Sequence, residues 1–105
     1  MLRFIRPLRS MNRRLRTHRE AILRLARKHG ARDVRIFGSA ARGDDTIDSD
    51  MDVLVDMEEG RSLVDHVALK QELEDLLGQE VDVVTEASLH PQIRERVLRE
   101  AVPLE

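Results

Sequence analysis

The residues best suited to chemistry lie between Gly38-Ser39 and Asp50-Met51-Asp52. Asp50 and Asp52 stand two apart at the head of the apolar run Val53-Leu54-Val55, so on a strand both side chains share one face, roughly 6 to 7 Å apart along the backbone. Carboxylates held side by side repel and lose hydration when partly buried, a costly arrangement unless a cation lies between them. A hard divalent ion such as Mg²⁺ suits the pair, because it takes carboxylate oxygens and keeps positions open for water and phosphate. Gly38-Ser39 ends an alternating run. A glycine there lets backbone N–H groups approach phosphate oxygens, and the serine hydroxyl adds a donor. Ten residues separate Ser39 from Asp50, so one loop can bring a phosphate cradle beside a metal clamp. Asp82, between Val81 and Val83, offers a third carboxylate at a position where a lone buried acid would be hard to justify. If its strand neighbours the Asp52 strand, the three acids form a site for two metal ions about 4 Å apart, able to clamp the attacking and leaving oxygens of a phosphoryl displacement. A bare Asp-x-Asp is more often a solvated strand end. Here the Gly-Ser turn and the third acid favour the cation site.

Competing motifs fail on particular residues. Gly38 and Gly43 have the glycine spacing of a P-loop, but Asp44-Asp45 stands where Lys and Ser or Thr are required. Asp48, Asp50, Asp52 and Glu59 fit positions of an EF-hand loop, yet Val53 takes the obligatory glycine position. Phe37 stands where a serine-hydrolase elbow needs its first glycine. His18, His29, His66 and His90 are scattered at no metal-ligand spacing and are expected on surfaces or in packing. With no cysteine, thiolate zinc sites and cysteine nucleophiles drop out.

The elements that must position these residues follow from periodicity. Leu15, Ile22, Leu25 and Ala26 mark a basic amphipathic helix over residues 12–29, stopped by Gly30. A strand is expected over 33–37, a helical turn near Ala40-Ala41, and a strand over 51–57 whose Val-Leu-Val centre is covered on both faces. Ser62 and Asp65 resemble a capping box for a helix marked by Leu63, Val67, Leu69, Leu73, Leu76 and Leu77, read as a core stripe ending at Gly78. A third strand spans 80–85. Ser88 and Pro91 then sit as cap and first turn of a last helix with Ile93, Val97, Leu98 and Ala101 in register, and Pro103 as stop. The fold class is α/β of the α+β type, a small mixed β-sheet with helices packed on it.

The 105 residues fit one domain, placed at 11–105, with residues 1–10 as a flexible basic extension ahead of a second start at Met11. Two aromatic residues, Phe4 and Phe37, almost exclude a stacking surface for single-stranded nucleic acid. The net charge of -2 conceals a split: residues 1–32 carry +10 and residues 33–105 carry -12. The basic helix reads first as a solvated face, then as a docking surface for an acidic protein, and least as a nucleic-acid binder. No run approaches a membrane span and no signal peptide is evident, so a cytoplasmic location without membrane contact is expected.

Gly-Ser, ten residues, Asp-x-Asp and a later strand Asp together resemble the signature of the DNA polymerase beta nucleotidyltransferase superfamily. The length and the Gly38-Ser-Ala-Ala-Arg-Gly43 turn are most similar to its minimal nucleotidyltransferase (MNT) antitoxins, as is the closing Leu89-His-Pro to Arg-Glu-Ala-Val-Pro-Leu104 segment. The resemblance implies the nucleotidyltransferase fold and transfer of AMP from ATP to a hydroxyl, with two Mg²⁺ ions and release of pyrophosphate. It further implies that Gly38 and Ser39 hold the triphosphate and that Asp50 and Asp52 ligate the metals. Asp82 would bind the catalytic metal and help deprotonate the acceptor. Arg42 either neutralises phosphate or pairs with Asp44 or Asp45. In this group the acceptor is a tyrosine of a HEPN-domain toxin, which makes a hetero-oligomer the expected assembly. A catalytically idle antitoxin that acts by complex formation is the alternative.

Overall fold

The computed structural model describes residues 13–43 and 49–104. The proposed 1–10 extension and the alternative Arg42 partners Asp44 and Asp45 lie outside them. Four strands form a mixed sheet in the order β3-β2-β1-β4. They are β1 (Ala31–Phe37), β2 (Met51–Met57), β3 (Val81–Thr85) and β4 (Val102–Pro103). β1 is antiparallel to both β2 and β4, whereas β2 and β3 run parallel. The parallel pair needs a crossover, supplied by α4 (Leu63–Leu77). The capping box is present: Ser62 Oγ accepts from Val64 N–H at 3.2 Å, and Ser62 N–H donates to Asp65 Oδ2 at 3.3 Å. Gly78 ends the helix in the left-handed conformation.

Period-two alternation sorts the sheet into two faces. Val34, Ile36, Met51, Val53, Val55, Val81 and Val83 meet Ile22 and Ala26 of α2 (Arg19–Lys28) and Leu69, Leu73 and Leu77 of α4 in one buried cluster. Asp52, Leu54 and Asp82 alternate with these residues and therefore face the other side. α2 and α4 thus cover one face, and the opposite one carries Asp52 and Asp82 beside the buried Leu54.

Several expectations change. The basic helix breaks at His18 into α1 (Arg13–Thr17) and α2. β1 begins at Ala31, two residues early, and carries an irregularity between Arg32 and Arg35 where Asp33 takes a φ of 53°. Only the C-terminal part of the leucine stripe is core, since Leu63 and Val64 are about three-quarters exposed. The last helix, α5 (Pro91–Glu100), is capped by His90, whose Nδ1 accepts from Gln92 N–H at 3.2 Å, and not by Ser88. Ser88 instead closes the turn after β3 on Thr85. Pro103 does not merely stop the chain. It lies in β4 at the sheet edge, where a missing N–H is tolerated, and Leu104 N–H then donates to Val34 O at 2.9 Å.

Candidate active site

Gly38 joins β1 to the short helix α3 (Ser39–Arg42) at a φ of 73°, a conformation that favours glycine. A Cβ built there would collide with Oδ2 of Asp52, so the residue must be small as well as left-handed. Phe37 and Asp52 are register partners across β1 and β2, which brings the Gly-Ser turn over the head of β2. Ser39 is half-buried, Asp50 is exposed just before β2, and Asp52 is half-buried as its second residue.

Asp82 is the register partner of Asp52 in the parallel β2–β3 pair, so the two carboxylates emerge from the same face of neighbouring strands. It is exposed, which removes the expectation of a buried acid: its flanking valines turn to the core while it turns to the open face. Burial, with the charges of Asp82 and Asp50 added, pushes the Asp52 carboxyl up to about 6, against a small opposing effect of Arg42.

Side chains far away in sequence fix both ends of this acidic group. Gln79 Nε2 donates to Ser49 O at 2.9 Å beside Asp50, while its Oε1 accepts from Arg14 Nη1 at 2.6 Å. β3 is an edge strand whose outward backbone groups would otherwise be unpaired. Glu74 Oε2 accepts from Val81 N–H at 3.0 Å, Lys70 Nζ donates to Val81 O at 3.0 Å, and His66 Nε2–H donates to Val83 O at 2.6 Å. The Lys70 ammonium, with the Val81 N–H, holds the Glu74 carboxyl below its usual range. α4 therefore clamps β3 on both sides of Asp82. His29 is also structural: it is buried with Nε2 against the Glu72 carboxylate.

Gly38, Ser39, Arg42, Asp50 and Asp52 line one cleft of about 410 Å³, while Asp82 joins the group through its pairing with Asp52. The opposite wall is α5, with Ile93, Arg96, Val97 and Glu100. Their spacing, i, i+3, i+4 and i+7, was legible as a helix face, but nothing in the sequence says that this face meets the cleft. Arg42 Nη1 donates to Glu100 Oε1 at 3.2 Å, a partner neither sequence alternative named.

Among the described residues, no three His, Asp or Glu side chains form a ready-made metal cage. The donor set still fits a hard cation. Asp52 is a half-buried carboxylate strained by two like charges, and Mg²⁺ characteristically binds through one or two carboxylates with substrate phosphates completing its shell.

A mixed sheet, a Gly-Ser turn and carboxylates paired across neighbouring strands make a site suited to holding a cation beside a phosphate. A family model described as "Nucleotidyltransferase domain" matches residues 15–104. The chain is 46% identical over 78 residues to the protein adenylyltransferase MntA of Thermococcus cleftensis, covering 74% of this chain and 79% of that one. A solved chain described as a "putative minimal nucleotidyltransferase" is 58% identical, with a TM-score of 0.78 over 85% of this chain and 91% of that chain. A chain from a complex of tri-AMPylated Shewanella oneidensis HEPN toxin with MNT antitoxin shares the fold at 21% identity and a TM-score of 0.65, over 86% of this chain and 71% of that one. This chain belongs to the nucleotidyltransferase family, among its minimal members of the MntA protein adenylyltransferase group. Among the described residues no helix is long and apolar enough to cross a membrane.

Proposed function

We propose that this chain is the antitoxin of a toxin–antitoxin pair and silences a HEPN-domain toxin by transferring AMP from ATP to a tyrosine hydroxyl, with Mg²⁺ as cofactor. The observation that carries the reading is the half-buried Asp52 carboxylate, fitted against Gly38 and paired in register with Asp82. The MntA relative and the AMPylated toxin in the Shewanella complex support the donor and the acceptor class.

In this reading Gly38 leaves room for the triphosphate, the Ser39 hydroxyl donates to a phosphate oxygen, and Arg42 neutralises part of its charge. Asp50, Asp52 and Asp82 would hold two Mg²⁺ ions, which when bound supply charge neutralisation at the phosphates. The exposed Asp82 carboxylate accepts the proton of the acceptor hydroxyl. The hydroxyl oxygen forms its bond to the α-phosphorus as the bond from that phosphorus to the β-phosphate oxygen breaks, and pyrophosphate leaves.

The test is to incubate the chain with α-³²P-labelled ATP, Mg²⁺ and the protein encoded by the neighbouring gene, which this reading expects to be a HEPN-domain toxin. Label should appear on a toxin tyrosine, with toxicity lost, and the Asp50→Ala, Asp52→Ala double variant should transfer none. Labelling by that variant would refute the assigned site. Neutralisation of the toxin by the same variant at equal concentration would show that complex formation suffices.

A further inference from the structure

The two walls of the cleft share one carboxylate. Glu100 of α5 accepts from Arg42 Nη1 at 3.2 Å through Oε1, and its Oε2 lies 3.9 Å from Arg96 Nε. The Arg42 and Arg96 side chains are 48% and 66% exposed, a setting in which ion pairs add little stability. A fold needs no such cluster. Its position is informative, because these arginines stand in the same cleft as Asp50 and Asp52, and the anion between them is supplied by the chain itself.

We infer that the Arg42–Glu100–Arg96 cluster is the seat for the polyphosphate tail of the nucleotide, that Glu100 occupies it as an internal stand-in, and that Arg96 binds the tail once Glu100 is displaced. The inference rests on the nucleotidyl-transfer reading above and adds to it a phosphate-binding residue on α5. Guanidinium forks bind carboxylate and phosphate oxygens with the same planar geometry, so a site that accepts one accepts the other. A triphosphate carries several charges against the single charge of Glu100 and wins both guanidiniums. Without nucleotide, Glu100 offsets one of the two positive charges and holds both arginines at the cleft wall. Helical spacing gives the device its reach: Arg96 and Glu100 are one turn apart on α5, so each can release the other without moving the helix.

Two opposite substitutions test this, with affinity for α,β-methylene ATP in Mg²⁺ measured calorimetrically on the full chain. Arg96→Ala should weaken binding about five- to tenfold, the scale of a lost charged hydrogen bond at an exposed site, and Arg96→Lys should recover part of it. Glu100→Gln, which removes the internal competitor, should tighten binding about two- to threefold. AMP, which lacks the tail, should bind Arg96→Ala as it binds the wild type. Thermal midpoints of the variants show that each is folded. Unchanged affinity in Arg96→Ala, weaker binding in Glu100→Gln, or equal loss of AMP binding would overturn the inference while leaving the nucleotide reading intact. Failure of the wild-type chain to bind α,β-methylene ATP would overturn both.

Discussion

Gly38 and Asp52 are fitted to each other: the glycine turns at a φ of 73°, and any side chain on it would run into Oδ2 of the aspartate. The turn that presents Ser39 and the carboxylate that would meet a cation are therefore one constructed unit. Gly38→Ala should cost about 1 to 3 kcal/mol in stability from backbone strain. It should also displace the Asp52 carboxylate and reduce AMP transfer at least about a hundredfold. Denaturant unfolding and a labelled-ATP transfer assay check the two effects separately.

The Asp52 carboxyl, raised to about 6 from an ordinary 3.8, makes a prediction about pH. A folded-state value above the unfolded one means that the native protein holds this proton more tightly. Without Mg²⁺, the metal-free chain loses stability as pH rises through the interval between these values. Full linkage of such a shift is about 3 kcal/mol, and solvent screening at this half-buried group leaves roughly 1 to 2 kcal/mol. Asp52→Asn should therefore be more stable than the wild type near pH 8 and nearly equal to it near pH 4, by urea unfolding in EDTA. Asp82→Asn should bring the Asp52 carboxyl down only part of the way, read by NMR titration, because burial is the larger cause.

Gln79 acts on Asp50 through the backbone. Its amide spans Arg14 and the Ser49 carbonyl, so Gln79→Ala removes one tether from the lead into β2 at a side chain that does not itself line the cleft. Transfer should fall about tenfold with a higher Mg²⁺ requirement, while unfolding shifts by only about 1 kcal/mol. A Mg²⁺ titration of transfer activity distinguishes this from plain destabilisation.

Leu73 and Leu63 lie on the same helix and differ in surroundings. Leu73→Ala should cost about 2 to 5 kcal/mol by leaving a cavity in the main cluster, and Leu63→Ala should stay within about 0.5 kcal/mol. Paired unfolding curves decide it.

That contrast marks where sequence stops being informative. Periodicity identified α4 and its caps because a helix has one repeat and a capping box has fixed offsets. It could not say that the core begins only at Leu69, since coverage depends on where the helix meets the sheet. The same limit applies to β4: Val102-Pro103 is too short to show alternation, and it became a strand because Arg35 and Ile36 offered an edge. His90 took the cap expected of Ser88 because a three-residue turn already used the serine.

The sequence by itself determined which candidate site residues can act together. Gly38-Ser39, Asp50 and Asp52 lie within fifteen residues, and a strand period of two fixes which side chains share a face. Tertiary structure decided the rest. Asp82 comes beside Asp52 only because a crossover through α4 makes β2 and β3 parallel, and parallel register cannot be read from either strand alone. Arg96 and Glu100 reach the cleft only because α5 returns across the open face of the sheet. Local repeats are written in the order of the residues. Contacts between segments thirty or more residues apart depend on which apolar faces bury each other, and that is settled when the whole chain packs.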